Sequence, residues 1–163
     1  MGTDENYVAT SGNEIASGRN FSSHEVFYGD HVVIIGSEIK KKLFAENVDP
    51  VGKIISIGPG KYRVVGVLKE KGSSMGFSGD RNVLLPLNNV RQYFSRPNRS
   101  YTISVMAQKP EQLDAALGEA TGLFRVIRRL EPGIENNFEI SKSDKLVEMF
   151  FENIKYITLS ATI

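Results

Sequence analysis

Apolar residues in this chain fall into short clusters separated by turn residues, and each cluster's spacing predicts an element. His31-Val32-Val33-Ile34-Ile35-Gly36 is a continuous apolar run closing on glycine, the pattern of a strand buried on both faces. Ser37 stands as an N-cap for a helix over 38–45, in which Ile39, Leu43 and Phe44 share one face. Asp49-Pro50-Val51-Gly52-Lys53 then interrupts the chain. Two β-branched runs, 53–57 and 62–68, flank Gly58-Pro59-Gly60-Lys61 and predict a hairpin. A further strand is predicted over 82–87, stopped by Pro86, with Asn88 capping a short helix through Phe94. Near the start, Tyr7 and Val8 are possible strand residues, followed by a Ser/Gly/Asn-rich turn that closes on Gly18-Arg19-Asn20-Phe21.

The last third changes character after the linker Arg96-Pro97-Asn98-Arg99. Residues 101–107 alternate as a strand. Pro110 opens a helix in which Leu113, Leu117, Ala120, Phe124 and Ile127 recur at three- and four-residue steps, until Pro132-Gly133 ends it. A short strand over 138–140 and a terminal helix capped by Ser143, with Leu146, Phe150, Ile154 and Ile157 on one face, complete a βαβ-type order. The final stretch from Tyr156 to Ile163 is uncharged and carries no stop signal. It reads either as a helix end packed inside a domain or as the entry to a transmembrane helix, of which only the first third would be present.

At 163 residues, the length is that of one domain or two small lobes, and 40% hydrophobic with 24% charged residues is enough apolar material for a core. Twenty Lys+Arg against 19 Asp+Glu leave a net charge of +1, which gives no electrostatic ground for nucleic acid as a partner. The absence of cysteine excludes disulfides, thiol catalysis and zinc–thiolate sites. No basic and apolar leader stands at the start. Lys40-Lys41-Lys42 reads as a solvated helix face rather than a binding patch.

Gly60-Lys61 raises the question of a phosphate-binding loop. Such a loop needs a glycine five positions earlier, a hydroxyl residue after the lysine and a following helix, so that backbone N–H groups and a helix N-terminus face the phosphate. Ile55 stands at the glycine position, Tyr62 at the hydroxyl position, and a β run follows. The stretch is therefore a hairpin turn. His24 and His31 lack the helical spacing of metal ligands, and Ser23-His24-Glu25 are three adjacent residues that cannot converge on one atom. Ser73 and Ser74 lack the strand–elbow–helix setting of a hydrolase nucleophile. No catalytic, cofactor or metal residue emerges, and no cofactor is expected. Met75 and Phe77, in the Gly72–Asp80 loop, are the candidate partner-contact residues, unless they fold back as a local plug. Asn20-Phe21-Ser22 and Asn98-Arg99-Ser100 fit a glycosylation acceptor pattern, which matters only in a eukaryotic secretory protein.

Taken in order, these pieces resemble the extracytoplasmic domain of MacB-type ABC transporter permeases, within the FtsX-like superfamily. That family's GR-x-F turn, V-x-V-I-G strand, Leu-Phe-Gly helix end, DPVGK break, F-x-VVGVL strand and I-P-L strand stand here as Gly18–Phe21, Val32–Gly36, Leu43-Phe44, Asp49–Lys53, Tyr62–Leu68 and Leu85–Leu87. Ala45 replaces the usual glycine, and Tyr62 the usual phenylalanine. The resemblance implies an α+β fold in two lobes: a porter-like βαβ lobe from residues 1–11 plus 98–155, and an inserted β-rich lobe over 12–97. Residues 156–163 would begin a transmembrane helix. It further implies a non-catalytic periplasmic segment of an inner-membrane protein. The implied partners are a cytoplasmic ABC ATPase, a second permease copy and a periplasmic adaptor. ATP hydrolysis would then be coupled to export or to mechanical signalling. The other reading is a periplasmic ligand-binding or sensory module, with the Gly72–Asp80 loop as its lid.

Overall fold

The computed structural model describes residues 1–70, 79–94, 97, 100–107 and 109–142. The chain divides into two compact units, Met1–Met106 and Ala107–Ile163. In the first, the elements run β1 (Gly2–Thr3), α1 (Tyr7–Thr10), β2 (Ile15–Gly18), α2 (Ser23–Tyr28), β3 (Val32–Ile35), α3 (Ser37–Leu43), β4 (Ile54–Ile57), β5 (Gly60–Leu68), β6 (Val83–Pro86) and α4 (Leu87–Tyr93), with a 3₁₀ turn at Gly79–Arg81.

The six strands form one mixed sheet in the order β1-β6-β3-β5-β2, with β4 also paired to β5. β3 and β5 run parallel at its centre, β6 is antiparallel to β3, and β2 and β4 are antiparallel to β5. All four residues of β3 are buried, as the unbroken apolar run requires of a strand covered on both faces. Its alternation serves two cores. Val32 and Ile34 pack with Val8, Phe21 and Leu84, whereas Val33 and Ile35 pack with Tyr62, Val64 and Leu85.

The hairpin forms as expected, with Ile57 opposite Gly60 and only Gly58-Pro59 between them. Gly58 has φ +56°, the positive angle that a two-residue hairpin turn demands at its first central position. Beyond it, β5 carries a bulge, since Val33 faces Val64 but Ile34 faces Gly66. Glycine is required there for space: a Cβ on Gly66 would lie 2.4 Å from the Arg19 carbonyl oxygen.

Several boundaries differ from the sequence expectation. Residues 7–8 lie in a helical turn because the Asp4 Oδ1 atom accepts from the backbone N–H of Asn6 (3.2 Å) and Tyr7 (2.9 Å), starting α1. Ser37 is the first residue of α3 rather than its cap, a position taken by Gly36. The helix stops at Leu43 because Phe44 turns extended, which lets its ring pack on the core around Tyr62. Asn88 lies inside α4, with Pro86 at the N-cap. Residues 1–11 pack in the first unit, through β1 beside β6 and Val8 in the core.

In the second unit, α5 (Leu113–Ile127) follows a 3₁₀ turn at Pro110–Gln112. It ends earlier than Pro132-Gly133. Arg129 adopts φ +54°, its N–H bonds the Val126 carbonyl, and the Leu130 N–H bonds Arg125. That is the Schellman arrangement, built here on arginine instead of glycine. The Phe124 and Phe138 rings meet at 5.3 Å. Neither 101–107 nor 138–140 is a strand, so the strand–helix–strand order is not realised among the described residues. A strand needs a hydrogen-bonded neighbour, and neither segment is paired into a sheet among the described residues. The terminal helix and residues 156–163 lie outside the described residues.

Within the first unit, the fully buried Asn89 ties three elements together. Its Oδ1 accepts from the Tyr62 hydroxyl at 2.9 Å, and its Nδ2 donates to the Gly29 carbonyl at 2.8 Å. Burial pushes the Tyr62 phenol up, and the Asn89 bond acts against it. Tyr62→Phe is expected to cost about 1–2 kcal/mol by leaving the Asn89 oxygen unpaired, and Asn89→Leu at least as much. Gly66→Ala is expected to lower the urea midpoint as well, since a backbone atom blocks the new methyl group. Urea unfolding of residues 1–163 measures all three.

Candidate partner-contact surface

Met75 and Phe77 lie outside the described residues; the feet of their loop are described. One face of α3 holds both feet. Glu38 Oε2 accepts from Arg81 Nε at 2.8 Å on the far side of the loop, and Lys41 Nζ donates to both Glu70 carboxylate oxygens at 2.8 Å on the near side. Glu38 and Lys41 are three residues apart, so they share a helix face. These pairs are exposed and contribute little to stability, but they fix where the loop leaves and rejoins the fold. Of the lysine run, Lys41 is thus engaged in an ion pair.

A second surface was not foreseen from the sequence and is built on α2. The helix starts with a capping box: Ser22 Oγ accepts from the Glu25 N–H at 3.2 Å, and the Glu25 carboxylate accepts from the Ser22 N–H at 2.8 Å. It ends at Gly29, φ +71°, where a Cβ would meet the Asn89 backbone nitrogen at 2.8 Å. The Asn88 side chain donates to the Phe27 carbonyl at 2.9 Å, so α4 grips the end of α2. Between these anchors Phe27 and Tyr28 are 71% and 60% exposed. The Phe27 and Tyr28 rings meet edge-on at 5.1 Å, and His24 lies on Tyr28 at 4.3 Å. The signal was present in the sequence: Ser22-x-x-Glu25 followed by Gly29 delimits a six-residue helix.

Neither histidine joins a ligand set, and no group of three metal-binding side chains occurs among the described residues. His24 Nδ1 is 3.8 Å from Asp30, and His31 stacks on Tyr62 at 5.1 Å and meets Tyr93 edge-on at 4.9 Å. Gly60 and Lys61 are strand residues of the hairpin.

Glu25 is the electrostatic anchor. Arg19 grips its two oxygens at 2.7 and 2.6 Å. These hydrogen bonds pull its carboxyl down to about 2 against the effect of burial, with the Ser22 N–H also favouring the ionised form. A carboxyl lowered in the folded state stabilises the fold above its unfolded value of about 4.3, and that stability is lost as pH falls toward 2. Glu25→Gln is expected to cost on the order of 2–3 kcal/mol at pH 7. It is also expected to flatten the stability loss between about pH 5 and 2, as read by urea midpoints across that range.

The resemblance to known proteins agrees with this architecture. Residues 1–123 match the model of the MacB-like periplasmic core domain. The chain is 28% identical over 156 residues to a macrolide export ATP-binding/permease protein MacB of Hahella chejuensis, covering 95% of this chain and 23% of that protein. It is 27% identical over 151 residues to a pyoverdine export ATP-binding/permease protein PvdT of Pseudomonas syringae pv. tomato, covering 90% of this chain and 22% of that protein. The chain thus spans about a quarter of the length of these curated relatives. The solved periplasmic region of MacB from Actinobacillus actinomycetemcomitans shares the fold, with TM-score 0.69 and 22% identity over 91% of this chain and 63% of that one. The extracellular domain of the ABC-type transporter YknZ from Gram-positive bacteria aligns with TM-score 0.62 and 25% identity over 80% of this chain and 64% of that one. This chain belongs to the family of MacB-like periplasmic core domains.

Proposed function

We propose that this domain is the outer, non-catalytic part of an ABC transporter permease anchored in the inner membrane, coupling ATP hydrolysis to export or to a mechanical signal across that membrane. The observation that carries this reading is the match over residues 1–123, which spans the whole six-stranded sheet. The ATPase would be a cytoplasmic partner, and the permease would function with a second copy of itself and with a periplasmic adaptor. In this reading residues 12–97 form the inserted β-rich lobe, residues 1–11 plus 98–155 the porter-like lobe, and residues 156–163 begin a membrane helix. No helix among the described residues is long and apolar enough to cross a membrane.

A domain of this kind acts through its surfaces and its rigidity. Met75 and Phe77, carried by the loop whose feet α3 holds, would contact the adaptor or the second copy. In the full-length permease, Met75→Ser with Phe77→Ser is expected to lower export about tenfold or more while ATP hydrolysis and protein abundance stay unchanged. Unchanged export would remove the contact role from this loop. This chain holds no cysteine, so with any cysteines elsewhere in the permease replaced, Phe77→Cys supplies a single thiol. A photo-crosslinker attached to it in intact membranes is expected to name the partner by mass.

A further inference from the structure

An exposed aromatic pair on a well-anchored short helix demands an explanation, because folding gains nothing from it. Phe27 and Tyr28 are 71% and 60% exposed, and, unlike apolar residues exposed singly, they are adjacent and border a groove. The groove beside them is lined by Val26, Phe27, Tyr28 and Leu87, with Glu5 and His24 among its polar residues. Among the described residues no lysine or arginine lines it, and Glu5 is its one carboxylate. Glu25, one turn from Tyr28, has its charge met by Arg19 and does not add to the field.

The platform is also pre-organised. The Ser22–Glu25 capping box, the Arg19 fork, the Gly29 cap and the bonds from Asn88 and Asn89 fix both ends of α2 before any partner arrives. Anchors held in this way give up little conformational freedom on binding, which is how a few aromatic residues come to dominate an interface. The complement of apolar rings beside a lone carboxylate is an apolar segment with a cation at its edge. An arginine or lysine stem would lie on the rings, with its charged head near Glu5, adding cation–π attraction to the ion pair.

We propose that the α2 groove is a docking site for a cationic, apolar segment of another protein. The inference rests on the α2 groove alone and stands whether or not the parent permease exports.

The test titrates residues 1–163 with a fluorescent seven-residue peptide of alternating leucine and arginine, and with the same peptide carrying glutamate for arginine. With a net charge of only +1, the chain has no general attraction for cations, so a preference for the arginine peptide must arise locally. The arginine peptide is expected to bind at least tenfold more tightly than the glutamate peptide. Phe27→Ser and Glu5→Lys are each expected to weaken it tenfold or more with an unchanged circular dichroism spectrum. Ile54→Ser, an equally exposed apolar position on β4, is expected to leave binding unchanged. Equal binding of the two peptides, or binding indifferent to Phe27→Ser, overturns the proposal. So does concentration-dependent self-association in sedimentation that Phe27→Ser abolishes, which would assign the groove to a second copy of the chain.

Discussion

The parallel pairing of β3 with β5 is the constraint from which the first unit is built. β3 and the Val64–Leu68 half of β5 are apolar runs buried along their whole length, so the two lie side by side with material on both faces. Three other strands attach to this pair, β6 to β3 and β2 and β4 to β5, and β1 is added through β6. Parallel strands need a crossover, and the chain between β3 and β5 supplies α3, the Pro50 break and the outgoing arm of the hairpin. Bulge, hairpin turn and close approach at Gly66 are adjustments that let one long strand serve three neighbours.

Burial of that pair creates a problem that Asn89 solves. Tyr62 lies in the core, and its hydroxyl cannot stay unpaired there without cost. Asn89 accepts it and passes the constraint on, through its own amide, to the carbonyl of Gly29 at the end of α2. The resemblance leads one to expect phenylalanine at position 62; the tyrosine here adds a hydroxyl that needs a partner, and Asn89 supplies it. The consequence is mechanical: the hairpin strand, α4 and the α2 turn share one buried polar contact, and none shifts without breaking it.

Much of this was legible in the residues, and the failures have physical causes. The β3 run and the Gly58-Pro59 hairpin were legible because their chemistry is local: a fully apolar strand, and a turn that only glycine opens easily. Ser37 misled because an N-cap is defined by backbone position, and Gly36 was already extended beside Asn82. Residues 101–107 have strand composition, but a strand is a property of two segments, and β propensity at Ile103 or Val105 does not provide the second. Schellman closure at Arg129 was invisible because arginine rarely takes a positive φ. The α2 surface was missed although its capping box was written in Ser22 and Glu25. A helix of six residues carries too little periodicity to stand out, and only the fold reveals that Phe27 and Tyr28 are left outside.

The two surfaces then stand in a definite relation. β3 is preceded by α2 and followed by α3, whose Glu38 and Lys41 hold the loop feet. Four residues at about 3.3 Å each put the two ends of that strand only about 10 Å apart. Between them the chain is fully buried and hydrogen-bonded on both sides, in a close-packed interior that does not deform gradually. The α2 platform and the α3 side chains that hold the loop feet are therefore built on the two ends of one short, close-packed strand, and a change of packing at either end has little room to be absorbed between them.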